Sequence, residues 1–213
     1  MRQRDRETRE RVLKAAAQLF ADRGFKKVTV RDICRAARAN VAAVNYHFGD
    51  KGGLYREVLQ LAIETMRATN DAARAAGGGL AAEERLREYI RVSLCRATNS
   101  SAAHWISRLI YREMNDPTPA FDTLVEQGIR PRLDDLTAMV AEMLALAPEH
   151  PRVIQCVTSI HAQWILFVPN PIASRLRPKV HARHDDAAQM ASHIADFSLA
   201  GIRAVAGAAG SQE

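Results

Sequence analysis

The stretch Thr29-Val30-Arg31-Asp32-Ile33-Cys34-Arg35-Ala36-Ala37-Arg38-Ala39-Asn40-Val41-Ala42-Ala43-Val44-Asn45-Tyr46-His47-Phe48-Gly49-Asp50-Lys51 decides the fold. Thr29 is placed to cap a helix with Asp32 in its first turn, and Val30, Ile33 and Ala37 fall on one face of that helix. The turn Ala37-Arg38-Ala39-Asn40 leads to a second short helix, Val41 to His47 or Phe48, which Gly49 closes. Val44 and Phe48 lie four apart and give this helix an apolar seam toward Ile33 and Leu19. Asp50 then caps a long helix from Lys51 to about Ala76, whose first turn the pair Gly52-Gly53 weakens. Two short helices joined by a tight turn, and flanked by helices that share their core, form a helix-turn-helix unit.

Upstream, Glu7 to Arg23 reads as an amphipathic helix carrying Val12, Leu13, Ala16, Leu19 and Phe20, with Gly24 as its stop. Downstream, Gly77-Gly78-Gly79 separates helices. Further helices are expected at about Ala82–Thr98, Ala102–Met114 and Pro119–Gly128, then past a kink or restart at Pro131 to about Leu146, at Pro151 to about Val168, and at Ala187–Val205. No segment alternates with period two over a strand's length. The expectation is an all-α chain of nine or ten helices, divided into a helix-turn-helix domain at 1–52 and a larger helical ligand-binding and dimerisation domain at 53–213.

Charge points the same way. Residues 1–60 hold 14 Lys/Arg against 7 Asp/Glu, so the whole positive excess of the 213-residue chain lies in its first quarter. A basic end on a neutral body suits a protein that meets a polyanion with that end. No run is apolar enough to span a membrane, and the mixed-charge N-terminus does not resemble a secretion signal, so a cytoplasmic location is expected. Cys34, Cys95 and Cys156 are odd in number and far apart, which favours reduced thiols over disulfides or a metal set. No metal or cofactor is expected.

A recognition helix must present small or polar side chains to base edges while an apolar seam anchors it from behind. Residues 40–48 meet that description, with Val41, Ala42, Ala43, Asn45 and Tyr46 available to the major groove and Asn40 also counted among the DNA-binding residues. Asn45 can pair with an adenine edge, Val41 or Ala42 can touch a thymine methyl, and Tyr46 and His47 suit the sugar-phosphate backbone. Thr29 and Arg31 at one helix start and Lys51 at another supply phosphate sites, and Arg38 adds a fourth.

The segment from Thr29 to Tyr55, with the preceding Leu19-Phe20-Ala21-Asp22-Arg23-Gly24-Phe25, closely resembles the DNA-binding domain of the tetracycline-repressor (TetR) family over about residues 7–59. That resemblance implies a homodimeric, ligand-responsive regulator, usually a repressor, with an all-helical body. The family commonly has glycine where Arg38 stands and valine where Ala39 stands. A left-handed arginine there costs about 1 kcal/mol. In the body, Leu109-Ile110-Tyr111-Arg112-Glu113-Met114, Pro117-Thr118-Pro119-Ala120-Phe121, Ser159-Ile160-His161-Ala162-Gln163 and Phe197-Ser198-Leu199-Ala200-Gly201 resemble the CecR-like subgroup. It implies a sensor of hydrophobic small molecules that controls transport or efflux genes.

Without the family, the two apolar helices at about 151–168 and 187–205 suit pairing across a two-fold axis. Two recognition helices one DNA turn apart would then read a palindromic double-stranded operator. The polar groups best placed to face a small-molecule inducer are Trp105, Arg108, Tyr111, Arg112, His161 and Trp164. An enzyme reading finds little support: His181, His184, Asp185 and Asp186 lack a second ligand cluster, and Gly77–Gly79 lacks the Lys-Ser/Thr of a phosphate loop. A helical scaffold without DNA affinity is the other alternative, and salt-dependent DNA binding distinguishes it.

Overall fold

A computed structural model describes residues 3–99, 101–163 and 187–207, and every described element is helical. The helices are α1 (Gln3–Arg23), α2 (Val30–Ala37), α3 (Val41–Phe48), α4 (Lys51–Gly77), α5 (Ala82–Asn99), α6 (Ser101–Asn115), α7 (Phe121–Leu124), α8 (Arg130–Leu144), α9 (Pro151–Ala162) and α10 (Ala187–Gly207). A π turn, Val125–Ile129, joins α7 to α8 without a break, leaving nine continuous helical runs among the described residues. The chain divides into two compact units. Met1–Thr65 with Trp105–Gln127 forms one, and Met66–His104 with Gly128–Glu213 forms the other.

The first unit is built on α1. This helix begins at Gln3 rather than near Glu7, because no proline or glycine interrupts the extra turn. Its buried face is Val12, Ala16, Ala17, Phe20 and Ala21, while Leu13 and Leu19 are only half-buried. The apolar stripe is thus rotated from the expected one toward the small side chains, which let α2 and α3 pack closely. Gly24 stops α1 at φ 81°, its amide donating to the Phe20 carbonyl at 2.8 Å. Phe20, Phe25 and Tyr55 then cluster in tilted and edge-to-face pairs with ring centroids 4.8 to 5.9 Å apart, locking α1, the α1–α2 loop and α4 together.

Expectation and structure part at Gly53. A Cβ there would lie 2.0 Å from the Phe48 carbonyl oxygen, so the first turn of α4 can sit against the end of α3 only because this residue is glycine. The close approach uses the pair that sequence reasoning marked as a weakness. Asp50 supplies the cap, its Oδ1 accepting from the Gly53 amide at 2.7 Å.

The part of α6 from Trp105 to Asn115 also belongs to this unit, burying Trp105, Ile106 and Leu109. Glu113, 1% exposed, accepts from the Tyr55 hydroxyl and, at 3.0 Å each, from the Thr118 amide and hydroxyl. Three donors satisfy a carboxylate that would otherwise be expensive to bury. Burial and this carboxylate push the Tyr55 phenol far above its usual range, so it stays a donor. The same contacts hold Thr118 to Ala120 in a turn, which is why α7 starts at Phe121 and not at Pro119.

In the second unit, α5 packs on α8 and α10, and α9 packs on α8 and α10. Leu86, Ile90 and Leu94 of α5, Leu136 and Val140 of α8, Val153 and Ile160 of α9, and Ile194, Leu199 and Ile202 of α10 fill the core. Arg74 grips Asp135 through two hydrogen bonds of 2.7 and 2.8 Å, and Asn70 donates to the same carboxylate. Pro131 falls at the start of α8, and the π turn before it accommodates the missing proline N–H without ending the helical run. The α8 helix ends at Leu144, with Ala145 left-handed at φ 52°.

Candidate nucleic-acid interface

The two short helices take the bounds that the sequence predicts, and their caps explain why. At α2, the Thr29 Oγ1 accepts from the Asp32 amide at 3.2 Å, while Asp32 Oδ2 accepts from the Thr29 amide at 3.1 Å and the Thr29 hydroxyl at 2.6 Å. These bonds from Thr29 hold the Asp32 carboxyl below the usual carboxylate range. The helix ends in a Schellman pair, Arg38 N–H to the Arg35 carbonyl at 3.4 Å and Ala39 N–H to the Cys34 carbonyl at 3.0 Å. Arg38 therefore takes φ 50°, ψ 48°, the left-handed conformation that the departure from glycine made costly.

Asn40 starts α3, its Oδ1 accepting from the Ala43 amide at 2.7 Å. Val44 and Phe48 are buried, while Val41, Ala42, Asn45 and Tyr46 are exposed, Tyr46 at 76%. Ala43 and His47 lie between, and the His47 ring meets Tyr46 edge to face at 4.9 Å. Arg31 and Arg38 are also exposed on α2 and the turn. One face of an eight-residue helix is thus anchored and the opposite face is free.

Lys51 is placed differently from the free cation that its phosphate role assumed. Its Nζ donates to the Phe25 and Val28 carbonyls at 3.0 Å each and lies 4.3 Å from the centroid of the Phe25 ring. Two of its three protons hold the α1–α2 loop, and one remains for any phosphate. No signal in the sequence pointed to this role.

The ligand candidates are distributed over both units. Trp105 is buried in the first unit and Tyr111 is exposed there. Arg108 donates to Gln18 Oε1 at 3.1 Å and pairs with Asp22, while Arg112 reaches the Ala21 and Asp22 carbonyls. Both arginines thereby fasten α6 to the C-terminal end of α1, where the helix dipole favours cations. His161 lies on α9 in the second unit, where burial, followed by Arg132, holds it below the ordinary imidazole range. Trp164 and the sequence His181, His184, Asp185 and Asp186 fall outside the described residues. Among the described residues no three His, Cys, Asp or Glu side chains come together as a metal site, and no helix is long and apolar enough to cross a membrane. Cys34 and Cys156 are buried free thiols, which burial pushes up in pKa, and Cys95 is half-buried.

An anchored α3 with an exposed polar and small-residue face, entered by a tight turn and flanked by basic side chains, defines a helix-turn-helix DNA-binding protein with an all-helical body. Residues 12–58 match the family described as bacterial regulatory proteins, tetR family, and residues 82–202 match the C-terminal domain of the HTH-type transcriptional dual regulator CecR. The second match alone covers more than half of the chain. The chain belongs to the TetR family of transcriptional regulators, with a CecR-type C-terminal domain, and so to a class that binds DNA rather than one that catalyses a reaction.

It is 28% identical over 107 residues to the probable HTH-type transcriptional regulator YttP of Bacillus subtilis, a match covering 50% of each chain, so it spans half the length of that curated relative. The fatty acid degradation regulator FadR from Bacillus halodurans has a similar structure, with a TM-score of 0.66 at 15% identity over 92% of this chain and 96% of that one. So does the ketosteroid transcriptional regulator KstR2 of Mycobacterium tuberculosis, with a TM-score of 0.65 at 20% identity over 91% and 93%.

Proposed function

We propose that the protein is a homodimeric repressor that binds a palindromic operator and leaves it when a hydrophobic small molecule binds the helical body, controlling transport or efflux genes. The observation that carries this reading is the exposed face of α3, where Val41, Ala42, Asn45 and Tyr46 stand clear of a buried Val44–Phe48 seam. Asn45 reads an adenine edge, Val41 or Ala42 meets a thymine methyl, and Arg31, Arg38, Tyr46, His47 and the remaining proton of Lys51 hold the backbone, while Thr29, whose amide and hydroxyl protons both go to Asp32, serves by fixing the start of α2.

An eight-residue helix is only about 12 Å long and reads few base pairs, which favours a dimer with two half-sites. Exposed Ile154 on α9 and Phe197 on α10 support pairing through those helices. For the inducer, the likeness of fold to a fatty acid degradation regulator and a ketosteroid transcriptional regulator supports an apolar molecule of lipid or sterol character. Trp105 is the residue we assign to its pocket.

Sequencing the DNA that the purified protein retains from a random pool tests the central claim. A palindromic consensus, with half-site centres about 10 base pairs apart, is expected. An unstructured pool, or a single unrepeated site, would remove the dimeric repressor reading. For the sensor role, Trp105→Ala protein should stay on DNA when the inducer is added, and a full release response would exclude Trp105.

A further inference from the structure

We propose that Arg9 and Arg11 of α1 are positioning residues for DNA recognition, holding the two ends of α3 from behind instead of meeting phosphate. The proposal rests on α3 being the recognition helix. Both residues belong to the basic excess of the first quarter, which charge alone assigns to DNA. Arg9 is half-buried and Arg11 exposed, yet the contacts of both run to neighbouring helices.

Arg11 Nε donates to the Ala37 carbonyl at 3.3 Å, and its Nη2 reaches the Thr8 hydroxyl at 3.4 Å. Ala37 ends α2, where carbonyls lack helical donors and the dipole favours a cation. It also directly precedes left-handed Arg38, so the guanidinium restrains the strained turn through which the chain enters α3. Arg9 acts at the other end. Its guanidinium carbon lies 5.4 Å from the centroid of the Phe48 ring, and Phe48 is the last residue of α3. The same guanidinium pairs with Glu57 of α4, tying the exit of α3 to the helix that follows. Two positions apart on α1, the side chains diverge to different flanks, as this pair of contacts requires.

Groove readout needs α3 held at a defined angle, whereas sequence-independent binding needs only charge near the backbone. The two roles therefore separate experimentally. The full-length protein and its Arg9→Ala, Arg11→Ala, Arg9→Lys and Arg11→Lys variants are titrated with a duplex selected by the parent from random DNA, and with a random-sequence duplex of equal length, over a range of salt. Far-ultraviolet dichroism at the assay temperature identifies the folded variants, and the lysine forms keep the charge should an alanine form fail to fold.

Positioning predicts that affinity for the selected duplex falls about tenfold in the alanine forms, the scale of one lost charge-assisted hydrogen bond, and by less in the lysine forms, since an ammonium can also meet a carbonyl, a carboxylate or a ring face. Affinity for random DNA and the salt slope stay at parental values. A phosphate contact predicts instead that both duplexes lose affinity, that the slope falls by about 0.9, and that lysine rescues. That outcome overturns the proposal, as does a variant that melts earlier yet keeps the parental ratio of selected to random affinity, which marks a merely structural role. A parent that selects no duplex sinks the reading of α3 and the proposal with it. A parent that selects, with variants that keep its ratio, sinks the proposal alone.

Discussion

Replacing Arg38 by glycine should make the protein more stable and, in the same step, weaken its hold on DNA. Arg38 sits at φ 50°, ψ 48°, a conformation that costs an L-residue roughly 1–2 kcal/mol and glycine almost nothing. Glycine gives part of this back, because its unfolded chain is freer by about 0.4–1 kcal/mol. The exposed side chain gives Arg38→Gly little packing to lose. The net expectation is a gain of about 0.5–1 kcal/mol. With a urea slope of about 2 kcal/mol per molar, the midpoint rises by about 0.3–0.5 M. Ala145→Gly is the control, since Ala145 is left-handed at φ 52° at the end of α8 and carries no charge. It should gain stability on the same scale and leave DNA binding alone. If Arg38 meets a phosphate, Arg38→Gly also lowers the salt slope of DNA binding by about 0.9. An unchanged or lower urea midpoint would refute the strain argument, and an unchanged slope would refute the phosphate contact.

Three further outcomes follow from packing and electrostatics. Gly53→Ala places a methyl 2.0 Å from the Phe48 carbonyl oxygen, so α3 and α4 must separate, with an expected loss of about 3 kcal/mol in denaturant unfolding and weaker operator binding. A neutral result would mean that the close approach is not needed. Glu113→Ala leaves the buried Tyr55 hydroxyl without its acceptor and should cost about 2–3 kcal/mol, and Tyr55→Phe combined with it should recover part of that loss. Strict additivity of the two changes would argue against a shared network. The folded-state pKa of Asp32 is depressed, so its contribution is present above the ordinary carboxylate range and lost as pH falls through the folded value. Unfolding curves of parent and Asp32→Asn should therefore converge at the acid end and separate toward neutral pH, and curves parallel across the whole range would exclude the linkage.

The helix-turn-helix unit was legible because its signals are local. Thr29 with Asp32, Gly49 and Asp50 are caps and stops that act within four residues of themselves, and Val44 with Phe48 shows the seam at helical spacing, while the cap role of Asn40 emerged only in the structure. What the sequence concealed depends on which distant segments meet. Gly53 reads as a weak helix former until the Phe48 carbonyl is placed against it. Lys51 reads as a phosphate contact, and Arg11 as part of the basic excess, until carbonyls from other elements arrive within 3.0 and 3.3 Å. Glu113 lies in a helix whose pattern gives no hint that a carboxylate is buried, although Thr118 five residues later was a local donor that pattern reading did not use. Arg108 and Arg112 read as ligand groups on their chemistry, and their partners on α1 lie 86 to 91 residues away in sequence.

The contact between Gly53 and Phe48 also sets the terms on which this protein can be given a new operator. Val41, Ala42, Asn45 and Tyr46 project from a frame that does not rely on burying them, so on the proposed reading of α3 a library randomised at those four positions samples base preference while the scaffold holds. Position 53 tolerates no such variation, since any side chain there tilts every letter of the reading helix at once. A redesign that varies the face and keeps the hinge point bare exchanges one recognition code for another.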